Sequence, residues 1–209
     1  MAEQAVVNVD MSRDNRFLVA GSKDGTAYIA DLTKKGSVIQ KLNFKPSPNL
    51  RNMKMQSCLF ARDGSLYTLA TYPQMPTYVI RWQCNRNEKL PNAPPTWTPA
   101  LTKEVHHKPS TGMRASRQGT LCVMTSDGYV CLLDALTLKE TSSKRQPHNM
   151  PITSVVFRDE ENKMITAGID YKYCIIPQSQ QSVLTFLRNM VLNMAILLLI
   201  LLYIAEWIV

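Results

Sequence analysis

The fold is decided by the stretch Gly21–Leu32, GSKDGTAYIADL, because the chain writes it again at Thr125–Leu136 as TSDGYVCLLDAL. Each copy passes from small polar residues through Asp-Gly into a short run that ends on an aspartate, Asp31 or Asp134, and continues apolar. Asp-Gly at 24–25 and 127–128 predicts a two-residue type I′ hairpin, which needs positive φ at both central residues. After the first turn, period-two writing sets Ala27, Ile29 and Asp31 on one face and Tyr28, Ala30 and Leu32 on the other. The strands RFLVAGS and TLCVMTS lead into the two turns.

Two looser copies follow the same strand–turn–strand–loop–strand order. Met55–Cys84 has its second hairpin enlarged by Pro73 and Pro76, and His148–Pro177 has Ile169-Asp170-Tyr171 where the turn belongs. Aligned at the end of the second strand, the copies place Gly21, Ala70, Thr125 and Gly168 together, with spacings of 49, 55 and 43 residues. The proline-rich connector Leu90–Pro109 accounts for the longest gap. A WD-type propeller blade takes ~40–45 residues and tolerates inserted loops. The predicted fold is therefore all-β: a partial WD-repeat β-propeller of about four blades, where about seven is the common number and needs ~300 residues. Four wedges of a wider ring form an open arc with an unpacked sheet face at each end. The expectation is that the chain is the C-terminal portion of a longer protein, a shortened isoform of one, or the product of an incomplete gene model.

Residues 1–180 form this propeller segment, 181–189 a juxtamembrane linker, and 190–209 a transmembrane α-helix. The segment Met190–Val209, MVLNMAILLLILLYIAEWIV, carries one charge, Glu206, and one amide, Asn193. Twenty helical residues span ~30 Å, the thickness of a bilayer's hydrocarbon layer. Lys172 and Arg188 precede it and no Lys or Arg follows, which keeps the N-terminal bulk cytosolic and the C-terminus lumenal. The start, MAEQAVVNVDMSRDN, has neither the basic nor the apolar region of a signal peptide. The five cysteines are widely spaced with no C-x-x-C pair, as reduced thiols of a cytosolic core would be.

No catalytic, cofactor-binding or metal-ligating residue is assigned. G-x-S-x-G, Walker-type, G-x-G-x-x-G and H-E-x-x-H motifs are all missing. His106 and His107 are adjacent, so their rings are not expected to converge on one ion. His148 precedes ITSVVF as the blade histidine precedes a first strand, and Asp170 falls at the same blade's turn. The two are expected to hydrogen-bond across the blade as a structural pair. Arg81-Trp82 sits where the repeat's Trp-Asp pair falls, with Gln83 in place of the Asp. Asp159-Glu160-Glu161 reads as a solvated hairpin tip, and Met53, Met55, Met75 and Met113 as packing residues in or beside loops. Net charge is +8, but the basic residues are scattered among hairpins without a basic helix, zinc-finger spacing or aromatic stacking pattern, which argues against nucleic acid.

Ser12–Leu32, the Gln56–Trp82 blade with its proline-bearing hairpin, and His148–Val183 running into the apolar tail together resemble the endoplasmic-reticulum exchange factors for Sar-type small GTPases, the prolactin regulatory element-binding protein family. The resemblance implies a guanine nucleotide exchange factor. It would act at the cytosolic face of the endoplasmic reticulum, with a Sar-type GTPase and, through it, the COPII coat of ER-to-Golgi transport as partners. It implies no bond chemistry in the protein itself. The family's exchange surface and potassium-binding loop belong to an early, glycine-rich blade. This chain has eight glycines, singly placed, so no exchange residue and no potassium ligand is carried onto it. The alternative is a membrane-anchored WD scaffold that binds proteins without exchange activity.

Overall fold

The computed structural model describes residues 4–43, 53–72, 75–85, 94–142 and 145–178. They all belong to one compact unit, Met1–Gln178; the second unit, Ser179–Val209, carries the predicted linker and span and lies outside the described residues. Among the described residues no helix is long and apolar enough to cross a membrane.

Four antiparallel sheets follow one another along the chain. Sheet I is β1 (Val6–Met11), β2 (Phe17–Ser22), β3 (Ala27–Asp31) and β4 (Ser37–Leu42), paired in that order. Sheet II is β5 (Lys54–Phe60), β6 (Leu66–Tyr72), β7 (Met75–Asn85) and β8 (Thr96–His106). Sheet III is β9 (Ser110–Ala115), β10 (Thr120–Thr125) and β11 (Val130–Asp134). Sheet IV is β12 (Ile152–Arg158), β13 (Lys163–Gly168) and β14 (Tyr173–Pro177). The four aligned positions, Gly21, Ala70, Thr125 and Gly168, all fall in the second strand of their sheets.

Three expectations are corrected. Among the described residues, sheets III and IV have three strands where four are expected. After β11 the chain reads TLKETSS, polar without alternation, and makes only isolated bridges from Leu133 to Glu140 and from Val130 to Arg145. The connector 90–109 is not a loop: its second half is β8, which pairs with β7 along its length. Pro99 fits there because β8 is an outer strand and Pro99 faces Trp82 beside a register shift. Met55, Met75 and Met113 lie in strands, and Met55 and Met113 are fully buried.

The Asp-Gly turns also differ from expectation. Gly25 and Gly128 have φ of 84°, whereas Asp24 and Asp127 are not among the positive-φ residues. Ser22 pairs with Thr26 while the Gly25 amide donates to Ser22 O, and Thr125, Tyr129 and Gly128 repeat the pattern. Each is thus a three-residue loop, a type I turn closed by one left-handed residue. Ala61–Ser65 and Ser116–Thr120 are built alike, with Gly64 and Gly119 in the left-handed position. In sheet IV that position falls to Tyr171, at φ 60° and fully exposed.

Three cores lie between successive sheets. Phe17, Val19, Ile29 and Leu42 meet Met55, Leu66, Ile80, Trp82 and Trp97 between sheets I and II. Tyr67, Leu69 and Val79 meet Met113, Leu121, Val123 and Leu133 between II and III. Cys122, Met124 and Leu132 meet Ile152, Val155 and Met164 between III and IV. Side chains from β1 also complete backbone bonding next door: Asn8 Oδ1 accepts from the Cys58 amide at 2.7 Å and Asp10 Oδ2 from the Phe60 amide at 2.8 Å. Gln40 clasps Trp97 twice, donating to its carbonyl and accepting from its amide, both at 2.7 Å.

A Cβ on Gly64 would meet nothing within 4 Å, whereas one on Gly128 would lie 1.9 Å from the His148 carbonyl oxygen. Gly64→Ala is therefore expected to cost ~1 kcal/mol, the left-handed penalty alone. Gly128→Ala is expected to cost roughly 3 kcal/mol or more. Tyr171→Gly is expected to stabilise by ~1 kcal/mol. Thermal melts followed by circular dichroism check all three, at ~2–4 °C per kcal/mol for a chain of this size.

Candidate functional site

The residues singled out by the sequence fall into two kinds of site: polar latches inside the blades, and the outer faces of the two end sheets. In sheet IV, His148 is 1% exposed and lies before β12, where its Nδ1 donates to Asp170 Oδ1 at 2.9 Å. Its Nε2 lies 2.9 Å from Thr166 Oγ1 on β13. A hydroxyl, an imidazole and a carboxylate in line have the chemistry of a nucleophile and base. Thr166 is completely buried against sheet III, however, so no substrate atom can reach its oxygen. The trio is a latch that ties the strand entry, the second strand and the turn together, as the sequence predicts for His148 and Asp170. Sheet II holds the complementary half of the same device, with Trp82 Nε1 donating to Thr68 Oγ1 at 2.9 Å. Thr68 and Thr166 escaped the sequence reading, although each stands two residues before its aligned position, Ala70 or Gly168.

Sheet III has its own pair, and here the sequence reading fails. His106 Nε2 faces both oxygens of Asp127 at 3.1 and 3.0 Å, and Thr125 Oγ1 donates to the same carboxylate at 2.5 Å. Adjacency predicts that the rings of His106 and His107 do not converge on one ion, yet their centroids are 4.4 Å apart. β8 ends at His106 and the backbone bends at His107, which breaks the alternation that would have put the rings on opposite faces. Ligand atoms of His106, His107 and Asp127 lie within 4.8 Å of one another, a donor set of the type divalent metals take. His106 Nδ1 is buried without a partner, so the set lacks the outer acceptor that orients a metal-binding histidine. The blade latch accounts for the geometry.

Other groups carry no reactive signature. Burial pushes the Cys58 and Cys122 thiols well up, which keeps them protonated and inert. Asp159 is more than part of a solvated tip. Its carboxylate accepts from the Arg117 amide at 3.0 Å and from Gln178 Nε2 at 3.1 Å, which stitches sheet IV to the hairpin of sheet III.

The end faces are largely apolar, and among the described residues no further sheet packs on them. On sheet I, register aligns Val9, Ala20, Tyr28 and Lys41 in one row and Met11, Leu18, Ala30 and Val38 in the next, all turned away from sheet II. On sheet IV the rows are Ser154, Ala167 and Tyr173, then Val156, Ile165 and Ile175. Val9 is 57% exposed, Val156 60% and Ile175 58%. Among the described residues no core joins sheets I and IV.

A family model described as "WD domain, G-beta repeat" matches residues 2–31, which is sheet I as far as β3. No curated protein matches the chain. Of solved structures, 1073 chains match, so the fold is too widely shared to assign a function. One is the crystal structure of the computationally designed Ika4 protein, with TM-score 0.62 and 16% identity over 85% of this chain and 93% of that one. That likeness shows the fold alone, and the family match covers a seventh of the residues.

Asp127 and Asp170 both titrate below the ordinary carboxylate range. Desolvation pushes each up, but hydrogen bonds from Thr125 and His106 outweigh it for Asp127, as do those from His148 and the Lys172 amide for Asp170. A carboxylate whose folded pKa lies below its unfolded value of ~3.9 stabilises fully above that value and loses its contribution as pH falls through the folded one. The urea midpoint is expected to hold from pH 7 to about 5 and to fall below about 4. Asp170→Asn should lower the midpoint at pH 7 and flatten the acid limb. His148→Ala is expected to cost about 2–4 kcal/mol, since it strands Asp170 and Thr166 together.

Proposed function

We propose that the chain is a protein-binding segment of a larger WD-type propeller, held at the endoplasmic-reticulum membrane by the apolar segment 190–209 as a single transmembrane helix. On this reading it belongs to a guanine nucleotide exchange factor for a Sar-type small GTPase. The observation that carries the first half is the pair of end faces that no further sheet covers among the described residues, with Val9, Met11 and Val38 exposed on sheet I and Val156, Tyr173 and Ile175 on sheet IV, apolar like the interior faces. Further blades, to about seven, would bury them. The second half rests on the order of the blades and on sheet IV, whose last strand ends at Pro177 shortly before the apolar run.

In this reading the propeller sits in the cytosol and the C-terminus in the lumen. Exchange is a matter of differential affinity: the protein holds the nucleotide-free GTPase more tightly than the GDP- or GTP-bound forms, GDP leaves, and GTP enters from the cell's larger pool. Loading then drives the GTPase to the membrane and recruits the COPII coat. Confinement by the anchor restricts loading to one membrane. The family's exchange surface lies in an early blade that this chain does not match, so these residues supply the partner-binding and anchoring part of the assembly.

The test is binding and exchange in neutral liposomes carrying the full chain. It is expected to retain a Sar-type GTPase with similar affinity in the nucleotide-free, GDP-bound and GTP-bound states, while fluorescent GDP leaves at its spontaneous rate. Absence of binding in every nucleotide state overturns the GTPase assignment and leaves the scaffold reading. Accelerated GDP release overturns the placement of the exchange surface outside this chain.

A further inference from the structure

The first hairpins of sheets I, II and III carry an arginine at one repeat-equivalent position. Met11 pairs with Leu18, Phe60 with Leu66 and Ala115 with Leu121, so Arg13, Arg62 and Arg117 each stand two residues past the last paired position. Two residues further on, Asn15, Gly64 and Gly119 take the left-handed conformation that closes each turn. In sheet IV, Arg158 pairs with Lys163, so the same position holds Glu160. The three arginines line one cleft of about 430 Å³, with Asp10, Met11 and Phe60 on its walls.

What distinguishes them from ordinary solvated turn residues is that nearby carboxylates are engaged elsewhere. Asp10 accepts from the Phe60 amide. Asp14 accepts from the Ser12 hydroxyl at 2.6 Å, and Asp63 from the amide and hydroxyl of Ser65 at 3.0 and 2.9 Å. Among the described residues no ion pair engages Arg13, Arg62 or Arg117, whereas Arg16 pairs with Asp31 and Arg158 with Glu161. Three free guanidiniums therefore share a cleft with a single carboxylate that is already committed.

Spacing decides the ligand. Packed sheets stand ~10 Å apart, so equivalent side chains on successive blades step round the cleft at about that interval. A lone phosphate is too small to bridge such a step. An extended peptide in the polyproline II conformation rises ~3.1 Å per residue with three residues per turn, so its carboxylates three residues apart lie on one side at ~9 Å. Each guanidinium matches a carboxylate with paired N–H donors, and Phe60 and Met11 offer apolar wall to the side chains between. We infer that this cleft is a binding site for an extended acidic segment of a partner protein, with acidic residues spaced three apart.

The test uses the full chain in neutral nanodiscs and a fluorescein-labelled peptide, Glu-Leu-Ala-Glu-Leu-Ala-Glu, read by anisotropy. The peptide is expected to bind, its affinity to fall steeply with salt, and the R13Q/R62Q/R117Q variant to weaken it by about tenfold or more. The arginines are exposed turn residues, so the variant should melt at the wild-type temperature. K34Q/K35Q, a loss of two exposed charges on the turn after β3, should leave binding unchanged. The proposal is overturned if the Gln counterpart of the peptide binds equally well, or if K34Q/K35Q weakens binding as much as the arginine variant. It is overturned as well if inorganic phosphate at low millimolar concentration displaces the peptide, or if only vesicles of anionic lipid bind, since those outcomes assign the cleft to a phosphate group or a membrane.

Discussion

Every feature of this protein follows from one constraint: a sheet that is apolar on both faces must be covered on both. Sheets II and III meet it completely. Tyr67, Leu69 and Val79 leave sheet II on one side while Leu66, Ile80 and Trp82 leave on the other, and both sets are buried. Burial of apolar surface contributes ~25 cal/mol per Å², so each sheet-on-sheet interface is the main source of stability for both its partners. No sheet here is a folding unit by itself, as in other stacked repeats. Among the described residues, sheets I and IV each meet the constraint on one side only.

The polar groups serve the same stacking. Asn8 and Asp10 satisfy amides of β5 that would otherwise be buried beside a neighbouring sheet, and Gln40 does so for β8. The blade latches are distributed unevenly: Thr68 and Trp82 in sheet II, His106 and Asp127 in sheet III, His148, Thr166 and Asp170 in sheet IV. Each keeps a different part of one hydrogen-bonded device. A buried imidazole stays harmless only while its nitrogens are engaged. His148 meets that condition at both nitrogens and His106 at one.

Sheet order and the second strands were legible because they rest on alternation and on glycine in turns, both local signals. Ala27 and Ile29 point toward sheet II and Tyr28 and Ala30 away from it, as period two requires. The turn geometry was misread because Asp-Gly serves both a two-residue and a three-residue loop. What separates them is whether the residue before Asp closes the ladder, and that is settled by register across the hairpin. β8 was hidden by Pro99 and the prolines before it; Pro99 is admissible only because the strand lies at a sheet edge, a tertiary fact. The convergence of His106 and His107 depends on a bend at one residue and has no sequence period. The arginine series was visible in the strings SRDN, ARDG and SRQG, but its significance lies in three turns opening on one cleft.

The edges and the faces of the sheets are treated differently, and the difference bears on what the molecule meets. Outer strands are guarded against pairing with another chain: Lys41 stands on β4, Pro99 and Lys103 on β8, bridges to Glu140 and Arg145 occupy the free side of β11, and β14 ends on Pro177. Among the described residues the outer faces of sheets I and IV carry little such guard beyond Lys41 over the Tyr28 ring, and Met11 and Ile175 are exposed there. A strand added at an edge would meet charge and proline. A sheet laid on a face would meet the same Val, Ile and Tyr surface that neighbouring blades already bury. The geometry thus favours face-to-face cover by further blades over strand addition, which is what a segment of a larger ring requires. The arginine cleft is formed by hairpin ends, whose guanidiniums stand beyond the sheet faces, so blade addition and peptide capture overlap only at Met11, which lines the cleft and stands on the outer face of sheet I.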